Sequence, residues 1–277
     1  MITSPDIAGH YNRGGLLERL RAALTADGID PDHPTLDALA PYDQFHGRSL
    51  EATEELANAL SLSPSDHILD IGSGIGGPAR YFAERFGCRV TGIDLTPEFC
   101  TVARELTRLV GMADRVRFEQ GDALHMPFAA ESFDGAYSIN VAMNIADKGA
   151  FYREIHRVLK SGAALGLTEV TRGSGPEPEY PTPWAATPAA SFLVSPAETR
   201  RQIETAGFDI EGFRDTTQAA LGYGARWRAL IERGAKPPHR ATGIIHGEKA
   251  EIMVANVSRG LKSGAVTPIE VVCRKRG

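Results

Sequence analysis

Three aspartates in this 277-residue chain stand at the ends of short apolar runs, where a carboxylate could meet a ligand. Asp70 interrupts Ile68-Leu69-Asp70-Ile71 and is followed by Gly72-Ser73-Gly74-Ile75-Gly76-Gly77. Asp94 ends Val90 to Ile93, and Asp122 follows Val116 to Glu119. The glycines permit positive φ angles and let a ligand approach the backbone without Cβ atoms in the way. A carboxylate about twenty residues further on suits the hydroxyls of a ribose. The pattern is that of a nucleoside-binding site. Because Gly72, Gly74 and Gly77 also satisfy the G-x-G-x-x-G spacing of dinucleotide-binding units, turn and ribose acid together fit more than one adenosine-bearing cofactor.

Three neighbouring features favour S-adenosylmethionine over NAD. Asp70 at the mouth of the turn would repel a dianionic pyrophosphate but tolerate an ammonium and a sulfonium. Gly121-Asp122-Ala123-Leu124 offers a carboxylate for the adenine amino group and backbone N–H groups for the ring. Phe133 to Ile139 makes a fourth strand ending at Asn140, placed to line the methionine end. No Tyr-x-x-x-Lys pair is present for hydride chemistry.

On these residues the chain resembles class I S-adenosylmethionine-dependent methyltransferases from about Leu50 to Val170. The acidic-x-Gly-x-Gly turn falls on Asp70, Gly72 and Gly74, the ribose acid on Asp94 beside Leu95, the adenine acid on Asp122 beside Ala123, and the post-strand segment on Ser138 to Asn144. The resemblance implies a cofactor site that also includes Ser73, Gly76 and Asn140. Within the family the chain is most similar to the small-molecule branch of sarcosine and dimethylglycine N-methyltransferases, ubiquinone-type C-methyltransferases and antibiotic-pathway O-methyltransferases. Asn144 stands where many relatives carry histidine, and Lys160-Ser161-Gly162-Ala163 replaces the usual Lys-Pro-Gly-Gly.

Elements to hold these residues are legible from periodicity and punctuation. Apolar runs at 68–71, 90–93, 116–119, 133–139 and 164–170 alternate with amphipathic helices, such as the one carrying Phe99, Ala103, Leu106 and Val110 after Thr96-Pro97. In the helix after the glycine turn, Ala79, Phe82, Ala83 and Phe86 form the inward face, with Arg80 off it. Asp147 and Ser195 read as N-caps. Right-handed crossovers would lay the strands parallel, with ligand sites beyond their carboxyl ends. The expected fold is α/β: a Rossmann-like, seven-stranded, mostly parallel sheet with helices on both faces. Segments 1–49 form an N-terminal helical region and flap, 50–218 the cofactor-binding core, 219–264 a helical lid, and 265–277 the last core strand. Family resemblance makes the last two strands antiparallel. The loop Tyr42 to Arg48 reads either as a flap over the cofactor or as a surface connection.

The transfer itself asks little of side chains, since a sulfonium methyl is already activated and needs alignment and exclusion of water. A hydroxyl acceptor would need a base, for which His46 and His125 are candidates; His10, His33, His67, His156, His239 and His246 read as surface or packing residues. Asn144 faces methionine or acceptor. Of the aromatics Tyr180, Trp184, Phe192, Tyr223 and Trp227, the two tryptophans are the expected walls of the acceptor pocket. A formal charge of -5 argues against a nucleic-acid partner. Cys88, Cys100 and Cys273 lack metal spacing and suit a reducing cytoplasm. No metal constellation, signal peptide or membrane span is visible. The expected protein is a cytoplasmic, monomeric or homodimeric methyltransferase for a small organic acceptor, with an NAD-dependent oxidoreductase or a non-catalytic S-adenosylmethionine-binding module as alternatives.

Overall fold

The computed structural model describes Gly9, Tyr11, residues 14–236 and residues 240–277; His10 and His239 lie outside the described residues. Seven strands form one sheet in the order β3-β2-β1-β4-β5-β7-β6. They are β1 (His67–Ile71), β2 (Arg89–Asp94), β3 (Val116–Gln120), β4 (Phe133–Ile139), β5 (Leu159–Arg172), β6 (Phe208–Asp215) and β7 (Val266–Lys275). The first five pair in parallel, and β7 runs antiparallel to both β5 and β6. Chain order reverses between β1 and β4. This is the switch point at which an open parallel sheet leaves a crevice beyond its strand ends.

Three helices precede the sheet: α1 (Leu16–Ala26), α2 (Leu36–Asp43) and α3 (Ser49–Ala59). The crossovers carry α4 (Gly77–Phe86), α5 (Pro97–Leu109), α6 (Lys148–Val158) and α7 (Pro196–Thr205). Between β6 and β7 lie α8 (Thr217–Ile231), α9 (Ala241–His246) and α10 (Ala250–Ser263). Burying apolar side chains from both sheet faces gives two large clusters. One centres on Phe133, Phe151, Tyr152 and Ile155, the other on Phe82, Tyr137, Val90 and Phe118. A third joins α1 and α2 to α5 and α9 through Leu20, Leu39, Phe99 and Ile245. The N-terminal segment is thereby fastened over the end of the sheet that carries the crevice.

Two local expectations change. Asp147 and Ser195 cap their helices through the amides of Ala150 (2.8 Å) and Glu198 (3.2 Å), but Thr96, whose place before Pro97 reads as an N-cap, makes no side-chain capping bond, while its amide donates to Asp94 (2.8 Å). Arg80, read as lying off the buried face of α4, is fully buried, since acceptors in α2, α5 and the glycine turn surround it.

Candidate active site

Gly72 and Gly74 show what the turn after β1 demands. Both have positive φ (73° and 53°); a Cβ on Gly72 would lie 2.3 Å from Val141 Cγ2, whereas one on Gly74 would meet nothing within 4 Å. Gly72 thus permits close packing, and Gly74 leaves the backbone open to a ligand. Four amides of the turn are engaged: Gly72 and Ser73 donate to Ile93 O (2.8 and 3.0 Å), Gly76 to Ser73 O (2.9 Å) and Gly74 to Asp94 Oδ2 (2.8 Å). Amides that would cradle a pyrophosphate in a dinucleotide site are engaged internally.

Asp70, Gly72, Ser73, Gly74, Asp94, Leu95, Asp122, Ala123 and Asn140 all line a single cavity of about 300 Å³ at the carboxyl ends of β1, β2 and β4, a volume within the range of small-ligand sites. Gly76 does not line it; its positive φ (83°) instead shapes the entry to α4 against Phe118. Asp94 accepts from the amides of Gly74 and Thr96, both at 2.8 Å, which fix its carboxylate; burial raises its pKa and those two bonds oppose the rise. Asp122 Oδ1 accepts from Leu124 N (2.9 Å), shaping the loop around Ala123. Asn140 adopts φ 55° where β4 ends, and its amide donates to Thr168 O (2.8 Å).

Asp70 is different. It is only 2% exposed, and burial pushes its pKa up to about 8; the Tyr137 hydroxyl eases this and the charge of Asp94 adds to it. Asp70 Oδ2, Ser73 Oγ and Asp43 Oδ1 are buried with no hydrogen-bond partner among the described residues, and all three residues line the cavity. Buried polar atoms are normally satisfied, so these three acceptor atoms mark where a ligand's N–H or O–H groups belong. The residues fit an aminoacyl nucleoside carrying an ammonium.

The N-terminal segment supplies the opposite wall through Tyr11, Asp43, Phe45 and His46. Of the two readings of the 42–48 loop, the structure therefore favours the flap, while Tyr42 is buried and its hydroxyl donates to Asp27. Arg80 holds this wall to the glycine turn: its Nη2 donates to Asp43 Oδ2 and to Ile75 O, each at 2.9 Å, and its Nη1 to Thr107 Oγ1 at 2.9 Å. Burial raises the pKa of Asp43 and the Arg80 guanidinium opposes it.

His46 is buried behind a short chain of hydrogen bonds. The Thr53 hydroxyl donates to Gln44 Oε1 (2.7 Å) and lies 3.1 Å from His46 Nε2. A hydroxyl has one proton, so Nε2 must be the donor to Thr53, and the neutral ring carries its lone pair on Nδ1. Asn144 joins the N-terminal wall to the post-β4 turn: its Nδ2 donates to Trp184 O (2.6 Å) and its Oδ1 accepts from the Tyr11 hydroxyl (3.2 Å). Beneath that turn Lys148 donates to Ala142 O (2.6 Å) and Ile145 O (3.0 Å), while Glu169 Oε2 accepts from Ala142 N (3.1 Å). Burial pushes Glu169 up and Lys148 down, each opposed by the other's charge.

Several expected positions differ. Trp184 does not line the cavity; it packs against Met143, Ala185 and Val266, with its Nε1 donating to Ser191 Oγ (2.9 Å). Trp227 sits on α8 beside Tyr223, also away from the cavity. Phe192 takes the place of both, held there by its amide donating to Met143 O (2.9 Å). His125 is exposed and does not line the cavity, its amide being spent on Asp122 O (3.0 Å). No described residue of 219–264 lines it either; Arg240 and Ile245 of that insertion instead support the N-terminal segment, Arg240 by pairing with Asp27 at 2.7 Å. Tyr11, Asp43, Phe99 and Arg80 were not anticipated. Only Asp43 carried a signal, its place in the aromatic and polar loop 42–48.

Residues 69–167 match the family model described as a methyltransferase domain. Methyltransferase GfsG of Streptomyces halstedii is 33% identical over 175 residues, covering 62% of this chain and 60% of that protein, so the match spans about three fifths of the relative's length. Among solved structures, phosphoethanolamine N-methyltransferase 2 of Haemonchus contortus superposes with a TM-score of 0.73 at 19% identity, covering 100% of this chain and 61% of that one. The cyclase SpnF gives 0.70 at 22% identity, covering 99% and 97%. At such identities the likeness shows the shared fold, here the mixed seven-stranded sheet with its cavity at the β1/β4 switch. Residues 69–167 are thus similar to a methyltransferase domain, and the chain carries the Rossmann-like class I fold.

Proposed function

We propose that this protein is an enzyme that transfers the methyl group of S-adenosylmethionine to a small organic acceptor. The observation that carries the reading is the convergence of Asp70, Asp94, Asp122 and Asn140, from four separate strand ends or loops, on one cavity beside the glycine turn. Bound there, S-adenosylmethionine supplies an activated methyl on a positive sulfur. Asp94 would accept the ribose hydroxyls, Asp122 the adenine amino group and Asp70 the ammonium, with Ser73 Oγ as a further polar contact. An NAD-dependent dehydrogenase is disfavoured by the same arrangement, since a pyrophosphate would find the amides of Gly72, Ser73, Gly74 and Gly76 already engaged.

The chain's own contribution is alignment and closure. The N-terminal segment, buttressed by the 219–264 insertion, serves as the flap that excludes water, and Phe45, Phe99 and Phe192 furnish apolar contact for the acceptor. His46, positioned by Thr53 on the cavity wall, would take the proton of a hydroxyl acceptor; an amine acceptor arriving neutral would need no such step. Three buried free cysteines, Cys88, Cys100 and Cys273, accord with a reducing cytoplasm. The described residues contain no helix long and apolar enough to cross a membrane. We take the protein to act as a monomer or homodimer without nucleic acid.

Isothermal titration with S-adenosylmethionine, S-adenosylhomocysteine and NADH tests the cofactor. Micromolar binding of the first two and none of NADH is expected, and the reverse would restore the oxidoreductase. Incubation with methyl-labelled S-adenosylmethionine and a metabolite extract should then yield a labelled product, whereas binding without any transfer would leave a sensor or scaffold.

A further inference from the structure

We infer that the acceptor carries no phosphate or carboxylate: it is an apolar alcohol or amine, and an amine that arrives as an ammonium gives up its proton before its lone pair takes the methyl group. The inference rests on the methyltransferase reading and narrows its substrate. Once Asp70, Asp94 and Asp122 are assigned to the cofactor, two carboxylates still line the cavity, Asp43 from the N-terminal wall and Asp147 from the exposed rim. Asp43 is 4% exposed, and its Oδ1 has no hydrogen-bond partner among the described residues, so it calls for an N–H or O–H donor. Around it the rings of Tyr11, Phe45 and Phe99 stand in mutual contact, with centroids 5.8 to 6.4 Å apart. Such a wall accommodates apolar surface or an organic cation.

An anionic acceptor would need cations, and among the described residues no lysine or arginine lines the cavity. The two buried cations nearby do not line the cavity: Arg80 spends both terminal nitrogens elsewhere and keeps only a buried, unpartnered Nε, and Lys148 is held beneath the post-β4 turn. Arg80 donates to Asp43, Ile75 O and Thr107, and Lys148 to the carbonyls of Ala142 and Ile145. Nor does any group of three or more His, Cys, Asp or Glu among the described residues converge to hold a metal that might bridge a phosphate to carboxylates. A phosphate here would find no lining cation and would face the Asp147 carboxylate at the rim, since Asp43 is already paired with Arg80. The chain would thus part company with the Haemonchus protein of the same fold, whose structure is of a complex with phosphomonomethylethanolamine.

Three probes with one ten-carbon tail test this: geraniol, geranylamine and geranyl phosphate, titrated into the protein saturated with S-adenosylhomocysteine at pH 7.5, with and without Mg²⁺. Saturation is measured first, and failure at that step refutes the methyltransferase reading itself. We expect the alcohol and the amine to bind at least about tenfold more tightly than the phosphate in both conditions, the factor for one modest charge repulsion. Equal or tighter binding of the phosphate, with or without Mg²⁺, overturns the inference, as does a lack of affinity for all three. Asp147→Asn keeps an oxygen to cap α6 while removing charge at the rim. It should shrink the preference against phosphate about twofold to fivefold, and an unchanged preference would also count against the inference.

Discussion

The two walls of the cavity are built on different principles. On the sheet side, main-chain bonds hold the site: Asp94 and Asp122 are each fixed by amides two residues onward, and Gly74 by Asp94, all between 2.8 and 2.9 Å. On the N-terminal side, side chains from distant segments do the work, as in Arg80 with Asp43, Thr53 with His46 and Tyr11 with Asn144. The first wall is preorganised by local geometry and suits an invariant cofactor. The second depends on tertiary packing and would be the acceptor side in the proposed reaction.

Substitutions should separate these walls, with Arg80→Ala having the largest effect. It leaves Asp43 as an unpaired buried carboxylate and should cost about 3–5 kcal/mol of stability. Chemical denaturation checks this, and a loss below about 1 kcal/mol would show that the wall is not tied through this pair. Asp94→Ala comes next, weakening S-adenosylmethionine by about 1–3 kcal/mol through lost charged hydrogen bonds and the loosened Gly74 amide. Titration calorimetry with unchanged affinity would remove Asp94 from the cofactor wall.

The pH dependence of binding reads Asp70 directly. Its folded pKa, raised to about 8, lies above the ordinary carboxylate value, so without ligand the folded state prefers the protonated form. Its contribution to stability is therefore lost as pH rises from the unfolded value towards 8, and Asp70→Asn should stabilise the ligand-free protein at pH 8 by about 1 kcal/mol or more. A cationic ligand favours the carboxylate, so affinity should climb by up to about tenfold between pH 7 and 8 in the wild type and stay flat over that range in Asp70→Asn, which binds more weakly throughout. A climb that persists in the variant would assign it to another group. The smallest effect belongs to the acceptor side: Thr53→Val should lower kcat with a hydroxyl acceptor about threefold to tenfold, through the wrong His46 tautomer, and leave cofactor affinity unchanged. Normal turnover would leave alignment alone as the mechanism.

The same division decides what could be read without coordinates. The mostly parallel sheet and the gathering of Asp70, Asp94, Asp122 and Asn140 follow from motifs whose residues lie within one or two turns of the strands that place them, and the antiparallel last pair follows from the family resemblance. The acceptor wall had no such signal. Trp184 and Phe192 sit eight residues apart in one irregular loop, and which of them turns inward is decided by the amide of Phe192 on Met143 O and by Ser191 Oγ on the indole. Arg80 looked like a solvated helix residue because its acceptors come from three segments up to 37 positions away. Helical spacing reports a face, and it cannot report that the face meets a carboxylate.

Arg80 also constrains how ligands enter. Its guanidinium grips the Ile75 carbonyl and the Asp43 carboxylate at once, within a site that water does not reach. Swinging Asp43 away would strand a cation indoors, at a cost comparable to much of a domain's net stability. Asp43 is therefore the anchored point of the N-terminal wall, tied through Arg80 to the glycine turn.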